Sequence, residues 1–127
     1  MPPANDRTVP PKVETSGTDK LTLEEIVHLA NKVGLEFANA KREAEYLDLM
    51  KATVRARVSL RLDTEDISEA KLRRLTETDP EYVDFLEKLA NARRDSEKLR
   101  IRYESYKNLC EARRSLLSYQ KAEMKLL

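Results

Sequence analysis

The stretch VRARVSLRL, Val54–Leu62, decides the fold because it fits two different secondary structures. Its apolar residues occupy every second position, which is the pattern of a half-buried β-strand. Val54, Val58 and Leu62 are also four residues apart, so they would share one face of a helix. No Gly, Pro or turn cluster separates the stretch from the helical pattern before it, and no second alternating run offers a strand partner. We therefore predict a helix; the alternative is a strand that pairs with its own copy between subunits.

The residues before this stretch predict one long helix from about 22 to 62. Its start, LTLEEI, is a capping box: the Thr22 hydroxyl can accept a hydrogen bond from the Glu25 amide, and the Glu25 side chain can reach back to the Thr22 N–H. Leu21 and Ile26 occupy the positions of a hydrophobic staple. Apolar residues then alternate at spacings of four and three, which is the heptad pattern of a helix that packs on another helix. These residues are Ile26, Ala30, Val33, Phe37, Ala40, Ala44 and Leu47, followed after an interruption at Lys51 by Val54 and Val58.

The residues after this stretch predict two further helices. Residues 63–66 break the heptad pattern, and a short helix is expected at about 67–76. Asp79 is a favourable N-cap and Pro80 suits the first helical position, so the last helix should run from about 80 to 125. The prediction is an all-α fold in which two long helices form an antiparallel hairpin with a short connecting helix. Because both long helices carry apolar residues outside their seams, we expect an oligomeric bundle, most simply a dimer.

The ends and the composition define the domain. Residues 1–20 hold four of the five prolines and few large apolar residues, which is typical of a disordered tail. We assign residues 21–127 to a single helical-hairpin domain. The chain has a net charge of +1, one cysteine and no apolar run of about 18 residues. We expect a soluble cytoplasmic protein with no disulfide and no membrane association.

The sequence offers little for catalysis or metal binding. His28 is the only histidine, and Cys110 is the only cysteine and lies on the predicted buried seam. The neighbouring carboxylates Glu43 and Glu45, or Glu65 and Asp66, lack the Glu-x-x-His spacing of helical di-metal sites. There are too few His and Cys residues for a zinc site built from those ligands alone, and there is no Gly-rich phosphate loop. We predict a protein that is not an enzyme and that uses no cofactor.

Charge is unevenly distributed along the chain. Residues 63–84 include eight acidic and three basic side chains, whereas residues 93–127 include ten basic and five acidic ones. The basic segment is a candidate surface for nucleic-acid phosphates or for an acidic partner. The alternative is a solvated helix face, since cations are favourable near a helix C-terminus. The candidate contacts are Arg93, Arg94, Arg100, Arg102, Lys107, Arg113 and Arg114.

Beyond Tyr106 the apolar face of the last helix widens, which predicts contact with more than one helix. This second stripe is the candidate oligomer interface. Its members are Leu109, Ala112, Leu116 and Tyr119.

Two segments of the last helix resemble small helical proteins of unassigned role that phages and prophages encode. The segment YESYKNLCEARRSLLSYQKAEMKLL, Tyr103–Leu127, is similar to the charged end of their last helix. The segment TDPEYVDFLEKLANA, Thr78–Ala92, is similar to its Ser/Asp-Pro-Glu-Tyr start. The likeness covers about residues 45–127 and supports a helix at Val54–Leu62. It implies a small accessory protein, expected near phage recombination or replication genes, and it assigns no functional residue.

Two functions follow as hypotheses. The first is a non-enzymatic, oligomeric helical accessory protein that binds another macromolecule, for instance as a regulator or inhibitor of a protein partner. The second is a nucleic-acid-binding accessory factor in phage recombination or replication that uses the basic last helix.

Overall fold

Three helices account for nearly all residues that the structure describes. The computed structural model describes residues 21–126. Helix α1 spans Leu23–Leu62, α2 spans Glu69–Thr78 and α3 spans Pro80–Leu126. No strand occurs within the described range, so the predicted all-α fold is confirmed. The stretch VRARVSLRL is the end of α1, which confirms that it is helical.

The starts of α1 and α3 follow the predicted capping signals. The Glu25 amide donates to the Thr22 hydroxyl at 3.1 Å, as expected. The Glu25 carboxylate accepts from that same hydroxyl at 3.2 Å, where the sequence predicted the Thr22 N–H as donor. At α3 the Glu81 amide donates to Asp79 Oδ2 at 3.0 Å. Because these bonds satisfy amides that have no partner inside a helix, they fix where each helix begins.

Helix α2 begins and ends two residues later than predicted. The Ser68 hydroxyl accepts from the Lys71 amide at 3.2 Å, so the helix begins after Ser68. The Thr76 and Thr78 hydroxyls each donate to a carbonyl one turn earlier at 2.8 Å. The final turn of α2 therefore extends to Thr78, and Thr76 within it is buried.

The described residues divide into two compact units, and the first consists of residues 21–31 and 104–126. Its core is formed by Ile26 and Ala30 of α1 and Cys110 of α3. Leu21 packs against this core, to which Ile26 belongs, as the predicted staple requires. Further apolar side chains around it are Leu23, Val27, Tyr106 and Leu109. The predicted tail at residues 1–20 lies outside the described residues, and the single domain over 21–127 stays a prediction.

The second unit, Lys32–Tyr103, pairs the rest of α1 with α2 and the first part of α3. Its core includes Val54, Val58 and Tyr82, with Leu62, Phe85 and Leu86 packed against them. Residue numbers that rise along α1 meet numbers that fall along α3, so the two segments are antiparallel. The pairs that show this are Phe37 with Tyr103, Asp48 with Arg93, and Val58 with Tyr82.

The arginines of VRARVSLRL join the end of α1 to the residues around the start of α3. Helical spacing directs Val54 and Val58 into the core. It leaves the three arginines exposed on the other faces of α1. Each ion pair is partly exposed and contributes at most about 1 kcal/mol, but together they neutralise much of the acidic segment. The pairs are Arg55 with Glu77 at 3.1 Å, Arg57 with Glu81 at 3.0 Å, and Arg61 with Asp79 at 2.6 Å.

Gly34 allows close approach of an aromatic ring in the second unit. A Cβ atom on Gly34 would lie 2.8 Å from Cε1 of Tyr103, whose ring packs on Phe37 with centroids 6.2 Å apart. Alanine favours a helix by about 1 kcal/mol over glycine, but overpacking costs about 1–3 kcal/mol. We predict that Gly34→Ala lowers the free energy of unfolding by about 1 kcal/mol in urea titrations.

The same substitution in a Tyr103→Ala background removes the steric conflict. There Gly34→Ala should raise the free energy of unfolding by up to about 1 kcal/mol, because only the helix propensity remains. An equal effect of Gly34→Ala in both backgrounds would contradict the contact.

Candidate interaction surfaces

The basic residues predicted to contact nucleic acid are largely engaged within the chain. In the second unit, Arg93 forms an ion pair with Asp48 across the two helices. Arg94 Nη2 donates to Asn91 Oδ1 at 3.0 Å along α3 itself. Only the Arg93 partner depends on the packing of two helices, because Asn91 lies three residues before Arg94 on the same helix.

Arg100 is matched by Glu97 one turn earlier on α3. Its Nε donates to Glu97 Oε2 at 3.0 Å, and a second nitrogen contacts the other carboxylate oxygen. The hydrogen bond from Arg100 lowers the pKa of the Glu97 carboxyl, because it stabilises the charged carboxylate. This pair reduces the local positive potential of the helix face.

Arg113 has a structural role in the first unit. It is half-buried, and its Nη1 donates to the carbonyl oxygen of Leu21 at 3.1 Å, just before α1 begins. Sequence reasoning missed this role, although a signal was present: Arg113 lies one turn after the buried Cys110 on the same helix face. The other predicted contacts are exposed: Arg102, Lys107 and Arg114.

The predicted oligomer interface divides between core and surface. Leu109 packs against the core of the first unit and is half-buried. Ala112, Leu116 and Tyr119 are exposed, and so are all residues from Arg114 to Leu126. This final stretch of α3, residues 114–126, also exposes Leu117 and Met124, which the sequence prediction did not include. Leu117 and Met124 lie seven and fourteen residues after Cys110. They therefore lie on the same face of α3 as the buried Cys110, but on this final stretch that face is exposed.

A further apolar face lies on α1 in the second unit. Leu35, Tyr46, Leu49 and Leu60 are all more than half exposed. Their neighbours Val54 and Val58 point into the core instead. Helix α1 therefore carries apolar side chains on two faces, of which only one is covered in the described unit.

Cys110 and His28, the only cysteine and histidine of the chain, differ in exposure. Cys110 is buried, whereas His28 is exposed. Within residues 21–126, no three His, Cys, Asp or Glu side chains gather closely enough to hold a metal ion. None of the helices in that same range has an apolar stretch long enough to cross a membrane. Comparison with protein-family models, curated proteins and solved structures finds no match to the chain.

Proposed function

We propose that this chain is a non-enzymatic helical protein that self-associates and acts by binding another protein. In the setting implied by its resemblance to phage and prophage helical proteins, it is an accessory factor that regulates or inhibits its partner. The basis of the proposal is the exposed apolar surface of the long helices.

One observation carries this proposal. Eleven large apolar side chains among residues 21–126 are at least 40% exposed, and they concentrate on the outer face of α1 and the final stretch of α3. Single exposed apolar residues are common, but groups of them favour a protein interface. Each Å² of apolar surface that is removed from water contributes about 25 cal/mol of favourable free energy. The eleven are Leu35, Tyr46, Leu49, Leu60, Leu75, Ile101, Leu116, Leu117, Tyr119, Met124 and Leu126.

Nucleic-acid binding by α3 is the less supported function. Four of the candidate arginines would have to give up hydrogen bonds or ion pairs within the chain before they could contact phosphates. They are Arg93, Arg94, Arg100 and Arg113. The net charge of +1 provides no general attraction to a polyanion. We therefore treat nucleic-acid binding as an outcome of the test below.

Sedimentation velocity of the full chain from about 1 to about 100 µM tests the proposal. The weight-average mass should rise above the 14.7 kDa of one chain, and about 0.5 M salt should not reverse the rise, because the surfaces are apolar. A parallel titration with labelled single- and double-stranded DNA should show no tight binding near about 0.15 M salt. A monomer at every concentration, or DNA binding with a steep salt dependence, would contradict the proposal.

A further inference from the structure

The outer face of α1 repeats with the same period as its buried face. Eight residues follow one another at spacings of four and three, and every one of them is exposed. From the first to the last they extend about 38 Å along the helix. We call this set the outer stripe: Leu35, Asn39, Arg42, Tyr46, Leu49, Thr53, Ala56 and Leu60.

The outer stripe has the geometry of a second helix-packing seam. The buried face of α1, which includes Val33, Leu47 and Val54, also keeps a seven-residue repeat. Two stripes with the same repeat stay aligned along one supercoiled helix, so a second helix could follow the outer stripe over its whole length. Four of the eight members of the outer stripe are large apolar side chains, which a helix face that meets only water does not need.

The outer stripe is complementary to itself when two copies run antiparallel. If residues whose numbers add to 95 face each other, large apolar side chains meet large apolar side chains, and small or polar ones meet each other. A parallel in-register pairing would instead place Arg42 against Arg42 of the second copy, which is unfavourable. The antiparallel pairs are Leu35 with Leu60, Tyr46 with Leu49, Asn39 with Ala56, and Arg42 with Thr53.

The charges that flank the outer stripe agree with the same register. Lys32 of one copy comes opposite Asp63 of the other, and Glu36 comes near Arg57, whose guanidinium also pairs with Glu81 of its own chain. Two-fold symmetry repeats each opposite-charge pair at both ends of the contact. Such pairs favour one orientation and register over the alternatives.

We propose that the outer stripe of α1 is a dimer interface that binds the outer stripe of a second copy in antiparallel orientation. This inference rests on the proposed function, because it identifies what covers one of the two exposed apolar faces. The exposed apolar side chains on the final stretch of α3 then remain available to bind a different protein.

Substitutions on the two faces test this assignment. Leu49 is 79% exposed and lies near the centre of the outer stripe, whereas Leu116 is 52% exposed on α3 and serves as the matched control. Leu49→Asp should weaken dimerisation at least about 100-fold, because two carboxylates enter the apolar contact. Leu116→Asp should change the dissociation constant by less than about 3-fold. Sedimentation gives the constants, and circular dichroism should show full helicity in both variants.

A charge pair tests the register. Leu60→Glu should weaken the dimer, and adding Leu35→Lys should recover at least about 10-fold in affinity because Lys and Glu then face each other at both ends. The control is Leu49→Lys with Leu60→Glu, whose new charges do not meet in this register and should give no recovery.

The outcomes separate this inference from the proposed function. An oligomer that survives Leu49→Asp overturns the assignment to α1 and leaves self-association standing. Loss of the oligomer in the Leu116→Asp variant overturns an interface formed by α1 only. This holds whether or not the Leu49→Asp variant also loses the oligomer. Absence of recovery in the Leu35→Lys, Leu60→Glu variant overturns the register. A monomeric unmodified chain overturns both proposals.

Discussion

Replacing Val58 with Asp should unfold the second unit, whereas replacing Leu60 with Asp should leave the monomer folded. Val58 is 0% exposed and contacts the core with Tyr82, so an unpaired carboxylate there should cost more than about 4 kcal/mol. Leu60 is 79% exposed on the opposite face of α1. Its substitution should change the free energy of unfolding of the monomer by less than about 1 kcal/mol.

This pair separates helix from strand within VRARVSLRL. In an alternating strand, Val58 and Leu60 would lie on the same face and both substitutions would be equally harmful. Urea unfolding followed by circular dichroism at about 1 µM chain, where self-association contributes least, gives the comparison. Equal losses in the two variants would contradict the helical end of α1.

The second large effect is expected at Leu89 in the core of the second unit. Leu89 is 2% exposed, and Leu89→Ala should lower the free energy of unfolding by about 2–5 kcal/mol through lost burial and a residual cavity. The matched control is Leu126→Ala, also on α3, where the side chain is 87% exposed and the change should be within about 0.5 kcal/mol. A loss below about 1 kcal/mol at Leu89 would show that the site is not a packed core position.

Heptad spacing and capping residues were sufficient to predict the two long helices. The α1 seam predicted that Val54 and Val58 would be buried, and the Asp79-Pro80 signal placed the start of α3 correctly. The bounds of α2 were harder to predict because Ile67 begins the apolar pattern, whereas Ser68 is the N-cap and Glu69 is the first helical residue. The Ser68 hydroxyl decides the start through its bond to the Lys71 amide.

The side-chain contacts could not be predicted because they depend on which residues lie opposite each other after folding. The acidic segment was recognised, but not its pairing with Arg55, Arg57 and Arg61. Similarly, spacing placed Leu109 and Leu116 on one stripe, although only Leu109 reaches the core. The outer stripe was not predicted from the sequence because it mixes polar residues with its large apolar ones. The exposure of its members in the structure distinguishes it from the buried seam.

The most direct test of the central claim is a distance measurement between identical sites in two copies. Spin labels are attached singly at Glu45 or Ala38 in a Cys110→Ala background, and pulsed dipolar spectroscopy reports the distance between chains. In the antiparallel register, equivalent residues are offset along the helix by about 8 Å at Glu45 and about 28 Å at Ala38. With helix axes about 10 Å apart, we predict a distance below about 20 Å at Glu45 and about 30 Å or more at Ala38. Similar short distances at both sites, or no distance between chains at either, would contradict an antiparallel dimer on α1.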